Sequence, residues 1–243
     1  MGCCTPDRYE SRHYISECEC DFALRLTAGG LLRLVQEVST RHCTLLGITA
    51  QRYEATHTAF LLAKLCARVY LDIPAGEEVT VVTTPSAPVR AVYHRYTTVS
   101  LGDGRLAAAV DARWVLVDTR TRRILRKAPP ELGLPFGAPA VPELEVAIPK
   151  PQGEPVPVGT ERALYSRCDQ NRHLNNTRYA DIICDYLPPE RFLQGPVREL
   201  RISYHREVPM GETLEVFSCP AGEGAYFLGR GGDGDCFEAL VTF

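Results

Sequence analysis

Asp169, Asn171 and His173 recur at every second position in the segment Arg167-Cys-Asp-Gln-Asn-Arg-His-Leu-Asn-Asn-Thr-Arg-Tyr179. An extended backbone would turn all three side chains to one face. A carboxylate, an amide and an imidazole together can orient and deprotonate water. Asn175 and Asn176 then lead into a helical pattern, with Tyr179, Ile182, Ile183, Tyr186 and Leu187 at i, i+3, i+4, i+7 and i+8. Asn is a good N-cap, and Pro188-Pro189 stops the helix, which is expected over 176–187. The free N–H groups and dipole of such a helix start favour a developing negative charge. Polar groups facing a helix N-terminus suit acyl transfer to water, with Asn175 and Asn176 shaping the oxyanion site.

The rest of the chain sets bounds. Its 243 residues can bury a core as one or two domains. A net charge of −3 gives no global basic field for nucleic acid. No run of eighteen apolar residues is present, so no membrane span is expected. Met-Gly-Cys-Cys-Thr-Pro at the start lacks an apolar signal core, and Pro6 stands where myristoylation needs Ser or Thr. Ten scattered cysteines with no Cys-x-x-Cys pair read as reduced thiols of a cytoplasmic protein. No Gly-x-Ser-x-Gly elbow and no metal or cofactor motif occurs, so neither metal nor cofactor is expected.

The elements that must position the polar triplet occur twice. The first half reads as a strand over 12–20, then a helix carrying Leu31, Leu32, Leu34, Val35 and Val38 that ends at Gly47. Strands over 57–72, 77–84, 89–101 and 105–118 follow, with Asp103-Gly104 as a hairpin turn. Residues 129–157 hold nine prolines and read as a linker, including Pro139 and Pro142. The order then repeats: strand 160–167, helix 176–187, and strands 197–208, 212–219, 224–230 and 235–242. The expected organisation is 1–128, linker 129–157, and 158–243. Laid on each other, the copies match Asp21 with Asp169, Leu26 with Leu174 and Leu31 with Tyr179. Ala23 and Arg25 replace Asn171 and His173, so only the second copy keeps the triplet. A helix followed by an antiparallel meander is an α+β layer, and two such layers can pair through their sheets.

These residues resemble the acyl-acyl carrier protein (acyl-ACP) thioesterases, a family with a tandem hotdog fold. Asp169-Gln-Asn-Arg-His-Leu-Asn-Asn-Thr-Arg-Tyr179 is similar to the family's catalytic signature, and Tyr204-His-Arg-Glu207 to its second catalytic segment. Leu32-Arg-Leu-Val-Gln-Glu37 with His42 resembles the first helix, and Ala112-Arg-Trp-Val-Leu-Val-Asp118 the last strand of the first half. Leu174 and Thr177 depart from the usual branched aliphatics. The resemblance implies a double hotdog, each half a long helix wrapped by an antiparallel sheet. It implies hydrolysis of fatty acyl-ACP to free fatty acid, ending elongation, and adds Glu207 to Asp169, Asn171 and His173. The partner would be a carrier protein bearing acyl-phosphopantetheine, with a homodimer also compatible. Arg120, Arg122, Arg123, Arg126 and Lys127, five cations in eight residues, are a candidate surface for an acidic carrier.

Two other readings share this pattern: an acyl-coenzyme A thioesterase, and a non-catalytic acyl-binding module. Within the first reading, Asp169 or Glu207 could activate water, or Asp169 could attack the carbonyl directly. Trp114 is either core or tunnel wall. Gln36, Glu37 and His42 are expected as helix surface or packing. The acyl chain is expected to lodge in the first half, where a substitution such as Leu34→Trp should shorten the preferred chain.

Overall fold

A computed structural model describes residues 2–138 and 143–243; Pro139 and Pro142 of the proline-rich stretch fall outside the described residues. The first half comprises β1 (Cys3–Thr5), β2 (Arg8–Tyr14), α1 (Ala28–Leu45), α2 (Ala50–Thr56), β3 (Thr58–Val69), β4 (Glu78–Val89), β5 (Val92–Ser100) and β6 (Leu106–Asp118). The second comprises β7 (Val156–Arg162), α3 (Arg178–Asp185), α4 (Pro189–Gln194), β8 (Glu199–Tyr204), β9 (Thr213–Ala221), β10 (Gly224–Gly231) and β11 (Gly234–Thr242). All eleven strands form one antiparallel sheet in the order β1-β2-β4-β5-β6-β3-β8-β11-β10-β9-β7. The two halves are therefore joined edge to edge. β3 pairs β8 from Lys64↔Ser203 to Arg68↔Glu199, so two open sheet edges satisfy each other.

The long helix and the meanders fall where the periodicity puts them. Gly47, at φ +71°, closes α1 in the left-handed region that glycine adopts without penalty. Three expectations shift. The strands expected over 12–20 and 160–167 lie earlier, at 8–14 and 156–162, each followed by a 3-10 turn, Glu17–Glu19 and Tyr165–Arg167. Local bonds such as Glu19 N–H to Ser16 O and Arg167 N–H to Leu164 O win there over strand pairing. The strand expected over 197–208 stops at Tyr204, because His205 and Arg206 both donate their N–H to Cys236 O and end the ladder. Glu207 consequently sits in a loop.

The halves share a plan but not a filling. Tyr179, Phe227 and Phe237 are fully buried in the second half, with Tyr179 meeting Phe237 edge-on at 5.1 Å. The corresponding sheet face of the first half carries Ala108, Val110 and Ala112. Large rings make the second half solid; small side chains leave the first half hollow. Gly229 shows how tightly the second half is packed: a Cβ there would lie 2.2 Å from Phe237 Cε1. Gly229→Ala is accordingly expected to cost about 1–3 kcal/mol of stability. Urea denaturation checks this, and an unchanged midpoint would show that Phe237 is free to move aside.

Among the described residues between β6 and β7, the proline-rich segment carries a 3-10 turn at Pro130–Leu132. It is strapped down nonetheless. Leu132 is fully buried, and Leu144 and Val146 pack on Cys66 and Ala109, on the sheet face away from α1. Arg113 donates to Leu144 O at 3.0 Å and Arg201 to Ala147 O at 2.7 Å.

Candidate active site

The same backbone turn is built twice. In each half an isolated bridge closes it, Cys20↔Leu26 and Cys168↔Leu174. Asp21 N–H donates to Arg25 O, and Asp169 N–H to His173 O. Leu24 and Arg172 occupy the left-handed region at φ +57° and +62°. The first carboxylate oxygen caps the turn in both, accepting from Ala23 N–H and from Asn171 N–H at 2.9 Å. The extended run expected for Asp169, Asn171 and His173 is thus replaced by a tight turn. Asn171 lies exposed at its tip, and the three side chains do not share a strand face. The chain tightens because Asp169 can bond its own backbone two residues on.

What differs is the company of the second carboxylate oxygen. In the first half Asp21 Oδ2 accepts from the Arg25 guanidinium at 3.0 Å, and Arg25 also reaches Asp72 and the Phe192 carbonyl. In the second half His173 takes the place of Arg25 and Glu207 the place of Asp72, with His173 Nδ1 3.2 Å from Glu207 Oε2. Asp169 Oδ2 has no partner among the described residues. A permanent ion-pair cluster in one copy becomes, in the other, a histidine–carboxylate pair beside an unengaged carboxylate oxygen. His173 remains partly exposed and Glu207 is 58% exposed, so water reaches both.

α3 starts at Arg178 with Thr177 as its N-cap, two residues later than expected, and Asn175 orders the turn just before it. Its Oδ1 accepts from Thr177 N–H at 2.9 Å and Thr177 Oγ1–H at 2.7 Å, and its carbonyl from Arg178 N–H. The Thr177 and Arg178 N–H groups are therefore occupied by Asn175. Asn176 N–H makes no hydrogen bond among the described residues, while Asn176 O accepts from Tyr204 O–H at 2.8 Å.

A cavity of about 490 Å³ occupies the hollow first half. Leu32, Val35, Leu65, Val110, Ala112 and Trp114 give it apolar walls, and Trp114 also packs on the core cluster of Tyr93, Leu116 and Leu132. At one end it reaches Gln170, Asn176, Thr177 and Tyr204 of the second half. Gln170 lies between Asp169 and Asn171, so the cavity ends on the turn that carries them. Leu34 packs against the core and does not face this space, which corrects its choice as a chain-length position. Gln36 is exposed and lines the cavity, while Glu37 borders an adjoining surface cleft. His42 is fully buried, stacked on Tyr9 and bonded to Thr5 O at 3.0 Å, a packing role as expected. Arg120, Arg122, Arg123, Arg126 and Lys127 are all exposed around the turn that follows β6, with no ion pair among the described residues. Sequence reasoning missed the cavity residues from β5, notably Tyr93, Arg95 and Thr97, because their strand alternation alone does not distinguish a cavity wall from a core.

The acyl-ACP thioesterase N-terminal domain profile matches residues 6–132, and the C-terminal domain profile matches residues 162–227. No curated protein sequence matches the chain. Among solved structures, an acyl-ACP thioesterase from Bacteroides thetaiotaomicron superposes with a TM-score of 0.87 at 20% identity, covering 97% of each chain. The 12:0-ACP thioesterase from Umbellularia californica superposes at 0.86 with 18% identity, covering 100% of this chain and 98% of that one. HtdX from Mycobacterium tuberculosis gives 0.62 at 14% identity over 96% and 98%. The structural matches carry the double hotdog and the profiles carry the family: the chain belongs to the acyl-ACP thioesterases, and is a thioester hydrolase of fatty acyl-ACP.

Proposed function

We propose that hydrolysis takes place at the Asp169–His173–Glu207 turn, with the acyl chain held in the first-half cavity. The observation that carries this reading is the meeting of the cavity with Gln170, inside the turn itself. Glu207 orients the imidazole through Nδ1, leaving Nε2 to take a proton from water. Asp169 Oδ2, fixed by the bond that Oδ1 makes to Asn171 N–H, and the exposed Asn171 amide position that water. Asn176 N–H, at the cavity end, donates to the oxyanion. The leaving thiolate is stable, so a weak general acid suffices. Single turnover in ¹⁸O-water separates this from direct attack by Asp169. Label only in the released fatty acid, with no hydroxamate formed on Asp169 when hydroxylamine is present, supports water attack; label in the Asp169 carboxyl or a hydroxamate on Asp169 overturns it. The division into an acyl-binding half (1–128), a connecting segment (129–157) and a catalytic half (158–243) follows from the same reading.

The carrier protein docks on the Arg120–Lys127 turn. Thr58, opposite Asp118, starts β3 six residues before Lys64, which pairs Ser203 beside the cavity-lining Tyr204, so the turn lies beyond the Tyr204 end of β8. Five unpaired cations there complement an acidic partner. Reversing three of these charges should raise KM for acyl-ACP about tenfold at low salt and leave a small acyl thioester unaffected, since exposed charges act over about 10 Å at 0.1 M ionic strength. Steady-state kinetics on both substrates at two ionic strengths decide it; equal losses on both would remove the docking role.

A further inference from the structure

Arg95 is a guanidinium in the wall of the apolar cavity. It lies on β5, deeply enclosed between α1 and β4. Its contacts are long and uncharged: Nη1–H to His42 Nδ1 at 3.3 Å and to Thr83 Oγ1 at 3.3 Å, and Nη2–H to Cys43 Sγ at 3.4 Å. No carboxylate pairs with it among the described residues. Burial pulls its pKa below the usual guanidinium range. The Nε–H and one Nη2 hydrogen remain unused, and the surface Arg95 retains faces the cavity. An enclosed cation with spare donors is costly in a site meant only for a hydrocarbon.

Its position fits the far end of a bound chain. Arg95 pairs with Ala112, Ala112 with Leu65, and Leu65 with Ile202, one row across the sheet from β5 to β8. Three strand spacings put Arg95 about 14 Å from β8, where Tyr204 closes the thioester end. Ser39, Tyr53 and Thr97 line the same cavity and add hydroxyl groups.

We propose that the acyl chain this cavity receives carries an oxygen group at its far end, a carboxylate above all, which Arg95 binds. This rests on the reading that the cavity holds the acyl chain. A carboxylate matches the planar fork of a guanidinium and neutralises it inside the cavity.

The test compares carrier-bound ω-carboxyacyl, ω-hydroxyacyl and unsubstituted acyl thioesters of equal length. Wild type should favour the carboxylate by roughly 10- to 100-fold in kcat/KM, as a charged hydrogen bond allows. Arg95→Met should reverse the order. A matching gain for the ω-hydroxy chain would assign a neutral acceptor and keep the oxygen reading. Unsubstituted chains preferred by wild type, with the ratio unchanged in Arg95→Met, would overturn it. Binding needs no turnover: a dicarboxylic acid should raise the Tm of wild type more than the equivalent monocarboxylic acid, and Arg95→Met should lose that difference. If no thioester is hydrolysed, the fault lies with the catalytic assignment, and the Tm comparison still decides the Arg95 reading. Arg95→Met alone should fold with a Tm no lower than wild type; a large fall would make Arg95 a structural brace and sink the proposal.

Discussion

Asp169→Ala is expected to lower thioester turnover by about 10²–10⁴-fold, because it removes the carboxylate that positions the attacking water for the His173 base, with the fold intact. His173→Ala and Glu207→Ala should fall in the same range, and Asn171→Ala should lose part of it. The matching first-half substitution should behave in the opposite way. Asp21 bonds Ala23 N–H, Arg25 N–H and the Arg25 guanidinium, and Arg25 is largely buried against Phe192. Asp21→Ala therefore removes the nearer of the two carboxylates that face Arg25, leaving Asp72 at 4.0 Å, and should cost about 1–3 kcal/mol of stability while leaving kcat unchanged. Turnover and Tm measured on the same four variants and on Asp21→Ala give a crossed pattern. Near-normal turnover in Asp169→Ala together with none in a folded Asp21→Ala would move the active site to the other half. Glu207→Gln adds a finer test: it keeps a contact to His173 but removes the charge that holds an imidazolium, so it should lie between wild type and Glu207→Ala.

The second large effect is on chain length. Ala112 and Val110 line the cavity in two neighbouring rows across the sheet, opposite Arg95 and Thr97. Ala112→Leu and Val110→Phe extend into open space and should shorten the preferred acyl chain. Each methylene excluded is worth roughly 10- to 200-fold in kcat/KM. Leu34→Trp serves as the control, since Leu34 packs beside the core and not into the cavity. Product chain length read by gas chromatography decides the matter. An unchanged profile in both cavity variants, or an equal shift with Leu34→Trp, would separate the cavity from the acyl chain.

Much of this was legible in the chain. Helical spacing from Leu31 to Val38 and from Tyr179 to Leu187 marked the two helices, and both exist, though α3 is shorter. Asp103-Gly104, with Gly104 at φ +86°, marked its hairpin because few residues other than glycine enter that region easily. The repeat showed itself through matching core positions. Period-two spacing misled at Asp169–His173, since an Asp side chain able to bond the backbone two residues on can override extension. β1, α2 and α4 carried too few residues for periodicity to register.

By itself the sequence determined the residue types of the site, the duplicated order of elements, and which copy kept a titratable histidine where the other holds an arginine. Those are local properties, written in spacing and side-chain chemistry. Only the tertiary structure decided that β3 and β8 merge two meanders into one sheet, that the first half holds a cavity where the second packs large rings, and that Arg95 faces the cavity without a counter-ion among the described residues. A cavity is a difference between facing side-chain volumes contributed by β3, β5, β6 and α1, elements far apart in the chain. No single stretch records that difference, because whether Ala112 bounds a void or packs a core depends on what stands opposite it.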